Sequence, residues 1–387
     1  MAEPSTGSGS AEAANLGQSQ PAQDEASAAQ TRESKQSPSF WKRHRRLLTG
    51  VFYGLVVIAF FYYVLPRIIG LGPTLKLLER GDVWWLALGV VLEALSFGGQ
   101  IVLLRGVFST PEHRIEWRGC YDISVAGAAA TKLFAAAGAG GVALTVWALH
   151  GYGLSGADIA DGMVCYYIVT YAVYMFSMAI VGYGLWLGLF SGPAPWALTL
   201  VPAVFATVVI LIVVSMLWVY EPAERFLERR ADKSSGRAAK RWRRAAAWPR
   251  ALHEGEVAAI AMIKRRDPSL LGALAGWGFD IAVLWTGFRA FGPSPTGAVI
   301  VMSYWVGTMG NLLPLPGGIG GVEGGMIGSF LGFGVQRQVA VLAVLAYRTI
   351  SYWLPTIPGA VSYWQLRQRF HGSPSRTDEH TAPSITR

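Results

Sequence analysis

Several stretches of this chain run for about twenty residues or more with scarcely a charge, and that run length limits the fold more than any other feature. A helix needs about 20 mostly apolar residues to cross the ~30 Å hydrocarbon core of a bilayer with its backbone bonds satisfied internally. Residues 47–66, 83–104, 162–190, 197–220, 269–291 and 339–365 meet that requirement and read as spanning helices. Hydrophobic residues form 52% of the chain and charged ones 15%. The mean hydropathy of +0.36 lies outside the range usual for a water-soluble domain. The expectation is an all-α, polytopic helical membrane protein.

Two further apolar stretches, 119–149 and 298–331, are rich in glycine and do not read as plain spans. The charges between segments show why. Lys42, Arg43, His44, Arg45 and Arg46 precede the first long run, and the segment 221–268 carries 13 Lys/Arg against seven acids. Arg367 and Arg369 follow the last run. The positive-inside rule places all of these in the cytoplasm, with both termini, in the cell membrane. The uncharged connections Gly192-Pro193-Ala194-Pro195 and Gly292-Pro293-Ser294-Pro295 belong on the far side. Six spans satisfy these assignments only if each Gly-rich stretch begins and ends on one side, as a re-entrant or broken helical hairpin.

The sequence Gly138-Ala139-Gly140-Gly141-Val142 also recurs as Gly318-Ile319-Gly320-Gly321-Val322. Together these features predict two inverted repeats, one over about 83–190 and one over about 269–365, joined through the cytoplasmic basic loop 221–268. Residues 1–40 and 371–387 are polar and expected to be disordered cytoplasmic tails flanking a transmembrane domain at 41–370. Cys120 and Cys165 both fall in membrane-embedded sequence and make no disulfide framework.

Inverted repeats with broken helices characterise transporters that bind substrate near the bilayer midplane. The strongest break is Asn311-Leu312-Leu313-Pro314-Leu315-Pro316-Gly317-Gly318-Ile319-Gly320-Gly321-Val322-Glu323, where two prolines and four glycines interrupt apolar sequence. Backbone groups freed there are costly in lipid, which makes Asn311, Pro314, Pro316, Gly317, Gly318, Gly320 and Gly321 candidate substrate-binding positions. Glu323 follows near a helix start, where the positive end of the dipole offsets a carboxylate. Gly320, Gly324, Gly328 and Gly332 form a stripe at every fourth position that would admit a close helix. Glu93, Lys132, Asp280 and Arg348 are the other ionisable residues inside presumed spans, where such groups mark a pathway or an internal pair. Glu93 and Asp280 hold corresponding places in the two repeats and should converge; Lys132 and Arg348 are their alternative partners, and Arg348 also suits a phosphate. No zinc-protease motif, dinucleotide fingerprint or P-loop occurs, and no cofactor or metal is expected. The basic residues flank apolar helices, so orientation explains the net charge of +9 better than nucleic acid does.

The run Leu313 to Glu323, followed by Gly334-Val335 and Tyr347-Arg348-x-x-x-Tyr352-Trp353-x-Pro355-x-x-x-Gly359, resembles the lysylphosphatidylglycerol synthase transmembrane family over roughly residues 45–370. That resemblance implies a flippase-like membrane lipid translocase acting on a polar-headed lipid, aminoacylated or anionic. The synthases of the family carry a separate soluble aminoacyl-transfer domain after the membrane part. Only residues 366–387 follow the last apolar run here, so no enzyme activity is expected. The first hairpin departs from the family, since Ala135-Ala136-Ala137-Gly138 lacks proline and no charge closely follows Gly140-Gly141. The alternatives are a proton-coupled secondary transporter of a small solute, or an accessory partner of a membrane glycosyltransferase docked on the segment 221–268. Membrane lipids are the expected partners, and a homo-oligomer is compatible with the sequence.

Overall fold

The computed structural model describes residues 81–109, 114–133, 139–233, 236–312, 315 and 318–371. The expected span at 47–66, residues 1–40 and 372–387 of the expected tails, residues 134–138, and Leu313, Pro314, Pro316 and Gly317 lie outside the described residues. Among the described residues the chain is helical throughout, with no strand. We number the helices α1 (Val83–Phe108), α2 (Trp117–Leu133), α3 (Ala139–Gly151), α4 (Gly156–Trp186), α5 (Trp196–Asp232), α6 (Gly236–Lys264), α7 (Leu270–Phe291), α8 (Gly297–Thr308), α9 (Gly321–Gly332), α10 (Arg337–Arg348) and α11 (Thr356–His371). Helices α1, α4, α7, the Trp196–Tyr220 part of α5 and the run Arg337–Phe370 are long and apolar enough to cross a membrane. Their outward residues agree: Leu211, Ile212, Val214 and Trp218 of α5 are all exposed, an arrangement that suits lipid rather than water.

Helices α1 and α7 cross at a contact made by glycine. A Cβ built on Gly99 would lie 2.6 Å from both the Gly272 carbonyl oxygen and the Gly276 amide nitrogen. The two backbones therefore touch directly, and Ser96 Oγ donates to the Gly276 carbonyl at 2.8 Å across the same seam. Gly89, at the other end of α1, faces Thr286 and Val283. The antiparallel register between these contacts sets Glu93 opposite Asp280.

Both Gly-rich stretches are helical hairpins. In the first, α2 packs on α3, with Gly127 against Thr145 and Gly141 against Thr131. In the second, α8 is followed by a 3₁₀ turn at Met309–Leu312, and α9 returns along it. Gly307 faces Met326 and Gly310 faces Gly321 there. Among the described residues, the stripe expected at Gly320, Gly324, Gly328 and Gly332 is not the face that packs on α8. Gly325 is the residue seated on Gly307, Gly332 meets Leu198, and Gly324 and Gly328 meet nothing among the described residues. A helix turns about 100° per residue, so positions four apart drift by roughly 40° each step and a short stripe leaves the interface.

The segment 221–268 also differs from the expected loop. It forms the end of α5 and the whole of α6, which returns against α4 and α5. The run Gly236–Lys264 is alanine-rich, and alanine and arginine are strong helix formers. Gly255 lets α6 approach Val164 of α4, and Cys165 Sγ lies 3.7 Å from Met262 Sδ. Both cysteines are buried and free, as expected of packing residues.

Replacing Gly99 by leucine forces a side chain into the α7 backbone at Gly272 and Gly276, and the cost expected for such overpacking is about 1–3 kcal/mol or more. Thermal unfolding in detergent should show a clear loss of stability for Gly99→Leu. Gly98→Ala, where an added Cβ meets nothing within 4 Å, should unfold like the wild type.

Candidate functional site

The last transmembrane run is interrupted beside Arg348. Pro355 has no amide hydrogen, so the Ser351 carbonyl loses the donor that an unbroken helix would supply. The backbone loosens into a π turn over Thr349–Trp353, in which Leu354 N donates to Thr349 O at 3.2 Å. Lys132, in the last turn of α2, fills the vacancy: its Nζ donates to Ser351 O at 2.7 Å and to Tyr352 O at 3.1 Å. Tyr352 reciprocates through its hydroxyl, which donates to the Lys132 carbonyl at 3.0 Å. Freed carbonyls buried in apolar surroundings are thereby satisfied by a cation, and the first hairpin is tied to the broken helix of the second half.

The second hairpin is tied to the same place. Gly320 has φ +84°, a left-handed conformation that a side chain would strain, and this turns the chain into α9. Glu323 in the first turn of α9 reaches back, its Oε2 accepting from Gly320 N at 2.7 Å. Its other oxygen, Oε1, accepts from Arg348 Nε at 2.6 Å, and Glu323 is only 3% exposed. The Arg348 guanidinium also lies 4.4 Å from the centre of the Tyr352 ring, whose face Lys132 Nζ approaches at 5.2 Å.

Glu93 and Asp280 meet between α1 and α7, as their positions in the sequence implied, close enough for one carboxyl to hydrogen-bond the other. Asp280 also accepts from the hydroxyls of Tyr304 on α8 and Tyr347 on α10, the latter at 3.0 Å. Lys132 adds a positive charge near both carboxyls. Arg348, expected from sequence as an alternative partner of this pair, forms an ion pair with Glu323 at 2.6 Å.

Five ionisable residues from five helices thus gather in one region: Glu93, Lys132, Asp280, Glu323 and Arg348. Asn311 is brought to the edge of the second hairpin, where its Oδ1 would collide with any side chain at Gly318. Gly318 is buried, with φ +68°, while Gly320 is exposed and Gly321 abuts Gly310.

Beside Asp280 lies a cavity of about 770 Å³ bounded by α1, α2, α3, α4 and α7. Tyr166, Tyr167, Tyr171 and Trp277 form its aromatic wall, and Gln100 and Asp280 add polar groups. Trp277 is fixed by its Nε1 donating to Thr170 O at 2.9 Å. Sequence reading had named neither this wall nor Tyr304 as site residues. The available signal was a set of hydroxyl-bearing aromatics within apolar runs, since a buried tyrosine hydroxyl usually finds a partner.

These features define a multi-pass membrane protein with an ionisable cluster buried between two helical hairpins. The chain belongs to the family of the lysylphosphatidylglycerol synthase transmembrane region, whose family model matches residues 51–359. It is also similar to a UPF0104 membrane protein of Methanothermobacter thermautotrophicus, at 26% identity over 320 residues, covering 76% of this chain and 89% of that protein. Two further UPF0104 membrane proteins of the same archaeon match shorter stretches. One is 34% identical over 91 residues, 23% of this chain and 26% of its own. The other is 37% identical over 90 residues, 23% of this chain and 27% of its own.

Removing one member of a buried ion pair leaves the other charge uncompensated, at a typical cost of about 3–5 kcal/mol. Glu323→Gln and Arg348→Met should each lower the thermal midpoint in detergent sharply. The double variant should lose less than the two single losses combined, and a double-mutant cycle of unfolding measures that coupling.

Proposed function

We propose that this protein is a lipid translocase of the cell membrane, moving a polar-headed phospholipid, aminoacylated or anionic, between leaflets. The carrying observation is the ionisable cluster, buried at Glu93, Glu323 and Arg348, that lies between two helical hairpins and opens, through Asp280, on an aromatic-walled cavity. Charged side chains cost free energy inside a bilayer and are kept where they line a substrate route. A volume of about 770 Å³ falls in the range of small-molecule sites, room enough for a lipid headgroup while the acyl chains stay in the bilayer.

Two chemistries sit within reach of one another. Asp280 and the tyrosine and tryptophan faces suit an ammonium group. Arg348, with its planar fork, suits a phosphate if its bond to Glu323 opens. The headgroup of an aminoacylated phospholipid carries both. The inverted-repeat reading supports alternating access, with the two hairpins exchanging exposure between leaflets around the shared cluster. Membership of a family described by a lipid-modifying synthase's membrane region supports the lipid assignment. In this reading both termini are cytoplasmic, and the work done is movement of a lipid rather than bond making.

A second reading, a proton-coupled transporter of a small solute, draws on the same facing carboxyls. Vesicles containing the purified protein and head-group-labelled anionic, aminoacylated and polyprenyl-phosphate lipids separate the two. Protein-dependent movement of one lipid class, lost in Glu323→Gln and in Arg348→Lys while both variants remain folded in the membrane, is the expected result. Absence of movement for every lipid, with uptake of a soluble solute, would replace the translocase by the transporter.

A further inference from the structure

Three carboxyls, Glu93, Asp280 and Glu323, share the buried cluster with two cations, Lys132 and Arg348. Glu323 is matched to Arg348 at 2.6 Å, and Lys132 is held on the carbonyls of Ser351 and Tyr352. Among the described residues, one negative charge of the Glu93 and Asp280 pair therefore has no counterpart. The groups facing that pair, among the described residues, are Lys132 from α2, Tyr304 from α8, and Tyr347 from α10, with Arg348 acting on Lys132 in turn. Glu93 is 5% exposed, and its Oε2 has no hydrogen-bond partner among the described residues. Two ionised carboxyls face each other only as acceptors, so the contact between them is a hydrogen bond lacking its hydrogen. A single proton completes that bond and neutralises the unmatched charge together. Asp280 accepts from the Tyr304 and Tyr347 hydroxyls, which leaves Glu93 the better holder of the proton.

We propose that Glu93 and Asp280 share one exchangeable proton, and that it is released when an ammonium group enters the cavity beside Asp280, so that substrate movement is coupled to a proton. The exchange is balanced in charge: the ammonium arrives at the carboxyl pair as the proton leaves to water in the cavity, and no covalent bond to carbon changes. Gln100 and the aromatic wall line the cavity into which that proton is released. The shared proton stands independently of the translocase reading; the coupling rests on it.

Infrared spectroscopy of the purified protein in phosphatidylglycerol and phosphatidylethanolamine vesicles tests the proton directly. At neutral pH a protonated-carboxyl band should be present, shift in heavy water, and disappear in strongly alkaline buffer without any substitution. Glu93→Gln and Asp280→Asn should each abolish it, whereas Glu323→Gln should leave it. A wild-type spectrum without the band, or a band surviving in both Glu93→Gln and Asp280→Asn, overturns the shared proton. A pH-sensitive dye trapped in the same vesicles then reads the coupling, with lysylphosphatidylglycerol as the probe. Proton release accompanying lipid movement, lost in Glu93→Gln, is expected. Lipid movement without proton release overturns the coupling, while no lipid movement at all in the wild type removes the translocase reading and leaves the proton pair to the infrared result.

Discussion

Hydrocarbon offers no hydrogen-bond partners, so each break in a membrane helix has to be repaired from within the protein. Two repairs organise this molecule. Lys132 occupies the carbonyls released where Pro355 and the π turn interrupt the last transmembrane run. Glu323 returns to the Gly320 amide at the start of α9 while holding Arg348. Each repair uses a charged side chain on a different hairpin, and both converge on Tyr352 and its neighbours. The same side chains that satisfy the backbone therefore assemble the ionisable cluster. Stability and the candidate site are placed in one set of contacts, and a movement of either hairpin must exchange these bonds for others.

The apolar architecture supports that arrangement by bringing backbones unusually close. At the α1 and α7 crossing, Gly99, Gly272 and Gly276 remove the side chains that would hold the helices apart. That proximity lets Glu93 and Asp280 come within hydrogen-bond reach from opposite helices. A core of large side chains backs the second hairpin, with Tyr174 stacked on Trp305 at 4.1 Å and its hydroxyl donating to the Trp305 carbonyl at 3.0 Å. The first hairpin borders the cavity instead, so the two halves differ in packing although both are broken helices. That difference agrees with the first hairpin's lack of the proline-rich break carried by the second.

Much of this was legible in the sequence because a bilayer imposes one dominant rule. Apolar run length marked the spans at 83–104, 162–190, 197–220 and 269–291, clustered Gly and Pro marked the hairpins, and the rarity of charge in lipid singled out Glu93, Lys132, Asp280, Glu323 and Arg348. These signals are local, each carried by a short stretch. The helical return of the segment Gly236–Lys264 was missed because basic charge reads as loop, although its alanines favour a helix. The glycine stripe of α9 does not face α8, because spacing along one helix does not say which face meets a given partner.

Sequence alone determined that the chain lives in a membrane, that its two Gly-rich stretches turn back as hairpins, and which ionisable residues lie inside its apolar runs, since each follows from the cost of polar groups in hydrocarbon. The break at Thr349–Trp353 inside the expected span 339–365 was not foreseen. Only the tertiary structure decided who partners whom. It gave Arg348 to Glu323, Lys132 to two backbone carbonyls, and left Glu93 facing Asp280 beside a cavity. Those choices depend on helix rotation and crossing distance, set by glycine contacts nearly two hundred residues apart in the chain. No local pattern encodes an approach between two such distant backbones.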